Sequence, residues 1–191
     1  MTWIKICGIT SPQDALAATE LGASAIGLIF AESPRRVSID QARTIAAAVR
    51  GRAEIVGVFK EVSLVGPIHL AVGLDRAQIH SAEPIDVPLR VLRVIRPNEI
   101  GPHLGATEGE MTLIDGSEGQ GKTFDWTLAR LVPAPFVLAG GLTSENVGRA
   151  IAVAKPFGVD ATSGVEAAPG LKDMDKLRRF FDAVRRADDA R

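Results

Sequence analysis

Short apolar, β-branched runs alternate with amphipathic stretches along the whole chain. The strand-sized runs fall at 3–8 (WIKICG), 25–30 (AIGLIF), 54–59 (EIVGVF), 76–80 (RAQIH), 90–95 (RVLRVI), 111–115 (MTLID), 136–140 (FVLAG) and 157–161 (FGVDA). Between them, apolar residues recur at the spacing of a helix with one buried face, most clearly over 11–21, 38–50, 144–155 and 173–187. Ser11, then Pro12 and Asp14, reads as an N-cap with proline in the first helical turn. Ser144 and Glu145 are expected to open the 144–155 helix in the same manner, with Val147, Ile151 and Ala154 on its buried face.

Strands that alternate with helices predict an α/β protein with a parallel sheet, and eight such units favour a closed (β/α)8 barrel, the TIM-barrel fold, over an open sheet. The 191 residues are expected to form one domain, 1–191, just under the usual lower size of about 200 for that fold. Only SAEPIDVPL separates the fourth and fifth strands. A parallel crossover normally needs about a dozen residues or more, and Pro84 and Pro88 exclude an ordinary helix there. The pattern therefore predicts a compact barrel whose fourth helix is reduced or missing.

Composition narrows the partners. Apolar residues make up 46% of the chain, enough for a packed core. No apolar run approaches the ~20 residues that span a bilayer as a helix, and MTWIKICG carries no basic leader or apolar signal segment, so neither membrane insertion nor secretion is expected. A formal net charge of -1 disfavours nucleic acid. The single cysteine, Cys7, cannot form an internal disulfide, which suits a reducing cytoplasm. No long exposed apolar face stands out, so a monomer is expected.

GSEGQGKT, residues 116–123, fits the phosphate-loop pattern G-x-x-x-x-G-K-[ST]. A true phosphate loop starts a helix at its Lys-Ser/Thr. Here FDWTLARLV follows and runs into Pro133 and Pro135, leaving room for few turns. Lys122 would be essential to a nucleotide enzyme. A glycine loop over a site, with Gly116, Gly119 and Gly121 as its mobile points, fits better.

In a barrel of this type, function gathers at the C-terminal ends of the strands. The polar residues expected there are Cys7, His80, Asp115 and Asp160, with Arg35 and Arg36 in the loop after the second strand. Alternation along the first strand places Lys5 and Cys7 on one face and Ile4 and Ile6 on the other. Cys7 then points into the barrel mouth with a lysine beneath it. A nearby cation is expected to lower the thiol and favour a thiolate base. A carboxyl at a partly dry barrel mouth can hold its proton near neutrality and act as an acid. Arg36 offers a two-pronged clamp for a carboxylate. AGGLTSEN after the seventh strand and ATSGVE after the eighth place Gly140, Gly141, Ser163 and Gly164 in consecutive loops. Barrel enzymes often bind phosphate with the backbone amides of these two loops.

KICGIT (5–10), the SPRR loop, AQIH, LIDG, GQGKTFDW (119–126), LAGGLTSENV (138–147) and VDATSGVEAAPGLKD (159–173) together resemble the phosphoribosylanthranilate isomerase family of tryptophan biosynthesis, in order and nearly end to end. The resemblance implies an Amadori rearrangement of a phosphorylated aminoaldose to an aminoketose, without metal or cofactor. Cys7 would be the base and Asp115 the acid. Arg36 would hold the anthranilate carboxylate and Asp160 would lie near the amine or sugar hydroxyls. His80 would line the site, and the loops after strands seven and eight would bind phosphate. GQGKTFDW looks like that family's loop after the sixth strand, which makes the phosphate-loop match incidental. The chain departs from the family at Ser81, where glycine is usual, at Arg93, where lysine is common, and in its short fourth crossover. A non-catalytic barrel that binds a phosphate ligand is the alternative, and a nucleotide enzyme the more remote one.

Overall fold

In the computed structural model, residues 1–80, 85–101, 110–116 and 123–190 are described. Strict in–out alternation organises them. In β1 (Trp3–Cys7), Ile4 and Ile6 enter the large apolar core between strands and helices, while Lys5 and Cys7 turn to the barrel interior. β2 (Ala25–Ile29), β3 (Glu54–Phe59), β4 (Arg76–Ile79), β5 (Arg90–Ile95), β6 (Glu110–Asp115), β7 (Phe136–Ala139) and β8 (Gly158–Ala161) follow in spatial as in chain order. All neighbours pair in parallel, and β8 closes the ring onto β1, with Lys5 opposite Asp160. A second, small apolar cluster of Leu92, Leu113, Val137 and Ala139, flanked by Trp3, Val94 and Met111, fills the barrel beneath its mouth.

The outer layer holds α1 (Pro12–Leu21), α2 (Ile39–Val49), α3 (Val65–Val72), α4 (Val147–Ala154) and α5 (Met174–Asp189). Ser11 caps α1 by accepting a hydrogen bond from the Asp14 amide, as its spacing predicts. Ser38 and Gln41 form a reciprocal capping box on α2. α3 escapes the sequence reading because Gly66 and Pro67 sit in its first turn and no side chain caps it. Proline is tolerated there, where the amide has no helical partner in any case.

The start of α4 differs from expectation. Ser144 bonds only to the Glu145 carboxylate, and the helix begins at Val147. The turn is held instead by Asn146, whose Oδ1 accepts from the Thr143 amide and whose Nδ2 donates to the Gly141 carbonyl. An Asx-type turn has displaced the serine cap. Val147, Ile151 and Ala154 are buried as predicted.

Residues 85–89 contain no helix, in keeping with a trimmed fourth crossover, and 81–84, with Ser81 and Pro84, lie outside the described residues. Trimming goes further than expected. β6 and β7 are linked by a 3₁₀-helix, Trp126–Leu131, capped by Asp125, with no α-helix among the described residues. No α-helix starts at Thr123, so the requirement of a nucleotide-type phosphate loop is not met. Gly119, Gly121 and Lys122 lie outside the described residues. After β8 comes an antiparallel hairpin, β9 (Glu166–Ala168) and β10 (Leu171–Lys172). Among the described residues, no helix is long and apolar enough to cross a membrane.

Candidate active site

The C-terminal ends of the strands open on a cavity of about 330 Å³. Its lining includes Cys7, His80, Asp115 and Asp160. Gly140, Gly141, Ser163 and Gly164 form another part of the wall. These are all the residues singled out from the sequence save one. Arg36 is exposed and lies outside the lining, while its neighbour Arg35 faces the cavity. The Arg35 guanidinium is engaged by Glu166, with Nε donating to Oε1 at 2.9 Å and Nη2 to Oε2 at 2.7 Å. Arg36 makes no ion pair among the described residues.

Cys7 sits at the end of β1, 4% exposed. Below it, the fully buried Lys5 ammonium donates to Asp160 Oδ2 at 2.9 Å. Burial alone would lower the Lys5 pKa, but Asp160 and Cys7 outweigh it and the net direction is upward, so Lys5 remains an ammonium. The thiol behaves differently from expectation. Burial pushes Cys7 up, and the pull of Lys5 in the other direction is the smaller effect. Burial is the main reason, and Asp160, paired with Lys5, also opposes a thiolate.

Asp160 uses one carboxylate oxygen on Lys5; the other, Oδ1, is buried without a partner. Gln78 Oε1 is likewise buried and unpartnered. Two unsatisfied acceptors in one cavity wall suit a ligand that carries hydroxyl or amine donors. Gln78 is one of several lining residues that the sequence reading missed, with Lys60, Arg96 and Thr162. Alternation along RAQIH places Gln78 on the same face as His80, a signal that was available. Desolvation by the surrounding protein lowers His80, although the residue is solvent-exposed at the rim; Asp115 opposes the fall, and Lys5, Lys60 and Arg96 add to it. His80 is therefore a neutral ring that can donate or accept at the rim.

The glycines of the last two loops have separate jobs. Gly140 and Gly141 take φ of 93° and 62°, the left-handed region that side chains disfavour. Gly164 lies so close to Leu142 that a Cβ would overlap the Leu142 carbonyl oxygen. Loops seven and eight thus pack backbone on backbone beside the cavity. Arg93 turns away from the cavity and pairs with Glu110 at 2.9 Å, so its departure from lysine does not alter the lining. Among the described residues, no cluster of side chains could hold a metal ion.

Comparison with known proteins agrees with this geometry. The profile of the family described as N-(5'phosphoribosyl)anthranilate (PRA) isomerase matches residues 4–183. An N-(5'-phosphoribosyl)anthranilate isomerase from Pseudomonas aeruginosa is 44% identical, the alignment covering 95% of this chain and 94% of that protein. The crystal structure of phosphoribosyl anthranilate isomerase from Thermotoga maritima superposes with a TM-score of 0.83 at 34% identity, covering 97% of this chain and 99% of the other. A solved structure of a phosphoribosyl anthranilate isomerase in complex with reduced 1-(o-carboxyphenylamino)-1-deoxyribulose 5-phosphate gives a TM-score of 0.80 at 33% identity, with 97% and 99% coverage. A closed eight-strand barrel, a cysteine and an aspartate facing one cavity, and matches that run almost end to end place this chain in the N-(5'-phosphoribosyl)anthranilate isomerase family.

Proposed function

We propose that the chain converts N-(5'-phosphoribosyl)anthranilate to 1-(2-carboxyphenylamino)-1-deoxyribulose 5-phosphate, an intramolecular oxidoreduction by general acid–base catalysis. The observation that carries the mechanism is the placement of Cys7 and Asp115 in the lining of one cavity, at the ends of β1 and β6, with β7 and β8 between them on the shorter way round the barrel. Two groups so placed can address a sugar from different sides.

Asp115 gives a proton to the furanose ring oxygen as the ring opens to a Schiff base. The Cys7 thiolate then removes the C2' proton, and the electron pair shifts to give an enolamine, which tautomerises to the ketone. The substrate nitrogen carries the charge, so no metal or cofactor is required. The unpartnered Asp160 Oδ1 receives the amine or a sugar hydroxyl. Gly140, Gly141, Ser163 and Gly164 bring backbone amides to the phosphate. Arg36, unpaired among the described residues, remains available to the anthranilate carboxylate, whereas Arg35 is locked by Glu166. His80 lines the rim beside them. The enzyme works as a cytoplasmic monomer in this reading, although the related Thermotoga maritima protein is described as dimeric.

The test follows the anthranilate-adduct fluorescence after purified protein is mixed with phosphoribosylanthranilate. Rapid loss with wild type, and a fall of about 10²-fold or more in both Cys7→Ala and Asp115→Asn, is expected. No loss with wild type, despite tight binding of a phosphorylated ligand, would leave a binding barrel without chemistry.

A further inference from the structure

Two buried charges next to the site take no part in the mechanism above. The side chains of Lys172 and Glu166 are 0% and 4% exposed and paired at 2.9 Å. The Lys172 ammonium also donates to the backbone carbonyl oxygen of Cys7 at 2.7 Å. Glu166 accepts in addition from Arg35 and from the Gly170 amide at 3.2 Å. The Lys172 backbone amide bonds to Asp14 Oδ2 at 3.2 Å, so that carboxylate holds the hairpin rather than the ammonium. Neither Lys172 nor Glu166 lines the cavity. Burying an ion is costly even after relaxation, and an apolar hairpin would close the same gap without that cost.

We propose that Lys172 is a positioning residue for Cys7: anchored by Glu166, which Arg35 locks in turn, its ammonium fixes the end of β1 and supplies the local positive potential that a thiolate base needs. The inference rests on the reading of Cys7 as the base. The charged groups acting on the thiol are Lys5 from its own strand, Asp160 from β8, Lys172 from β10 and Arg35 from the loop after β2. Lys5 is matched by Asp160. Glu166 matches one of Arg35 and Lys172, and the other is the surplus positive charge. An anchored base also keeps the short reach that proton abstraction demands.

Cys7 is the only cysteine of the chain, so the pH dependence of its alkylation by iodoacetamide reads this thiol alone. Steady-state turnover and alkylation are measured on wild type, Lys172→Met, Lys172→Arg and Glu166→Gln, with Cys7→Ala as control. Lys172→Met is expected to lower kcat by about tenfold or more with KM nearly unchanged, and to move the thiol midpoint up by about one pH unit. Lys172→Arg restores most of the midpoint. Glu166→Gln removes an anion and moves it down. Opposite movements are not expected of residues that merely hold the hairpin. Unchanged midpoints in the folded variants, or movement in the same direction in Lys172→Met and Glu166→Gln, would overturn the inference. Should Lys172→Met fail to fold, Glu166→Gln and Lys172→Arg decide: a midpoint unmoved in Glu166→Gln, or raised in Lys172→Arg as far as loss of the cation predicts, overturns it. Wild-type turnover in Cys7→Ala would instead remove the reading on which it rests.

Discussion

Gly27 stands directly across the β1–β2 ladder from Cys7, and a methyl group on its Cα would lie 2.7 Å from Cys7 Sγ. The same methyl would come within 3.0 Å of Cys7 Cα and 3.1 Å of Lys5 Cε. The missing side chain is the space in which the Cys7 thiol and Lys5 sit. Gly27→Ala is expected to displace the thiol and cost up to about 10²-fold in kcat, with about 1–3 kcal/mol lost from overpacking. Steady-state kinetics and urea unfolding check both. Unaltered kcat would mean that the sulfur position is not critical.

Lys5 and Asp160 form a buried pair that is expected to fail asymmetrically. Lys5→Met leaves a carboxylate buried without its cation and should cost about 3–5 kcal/mol. Lys5→Met combined with Asp160→Leu should recover much of that stability, because no unpaired charge remains, while turnover stays low. Chemical denaturation of the two single variants and the double variant gives the coupling.

Gly164→Ala tests the junction of loops seven and eight. The added methyl overlaps the Leu142 carbonyl, so the two loops must separate. KM is expected to rise by about tenfold or more while the pH profile keeps its shape, and inorganic phosphate should compete less well. A KM equal to that of wild type would place the phosphate elsewhere.

Burial raises the Cys7 thiol. With the Cys7 thiolate as the proposed base, its fraction grows with pH, so kcat/KM is expected to climb with pH, its rising limb on the alkaline side of an ordinary thiol. Because kcat/KM reports the free enzyme, the same limb should appear in the alkylation rate. A limb on the acid side would show that the surrounding cations outweigh burial.

Glu166 is pushed up by burial, but Arg35 and Lys172 outweigh this and its net pKa lies below the ordinary glutamate value. A folded-state pKa below the unfolded one gives stability that is present above the unfolded value, near pH 4.3 for glutamate, and lost as pH falls through the lower folded value. Thermal unfolding between neutral and acid pH should show a shallower acid slope in Glu166→Gln than in wild type. Equal slopes would mean that Glu166 contributes nothing to acid sensitivity.

The strands, four of the helices and the inward face of β1 could be read from the chain alone, because alternation and helical period are properties of the local backbone. Cys7, His80, Asp115 and Asp160 were legible for the same reason: each lies at or next to the end of a strand on a face that the period assigns to the interior. Partners distant along the chain were not legible. Lys5 finds Asp160 across 155 residues only because ring closure sets β1 against β8 in the register that opposes those two positions. Lys172 reaches the Cys7 carbonyl across 165 residues because a hairpin after β8 folds back over the barrel end. Local sequence could not choose which of two adjacent arginines faces the cavity, since the loop after β2 has no period. The direction of the thiol shift was out of reach as well: a lysine beneath a cysteine reads as activation until the fold shows how deeply the thiol is buried, with Asp160 beside it.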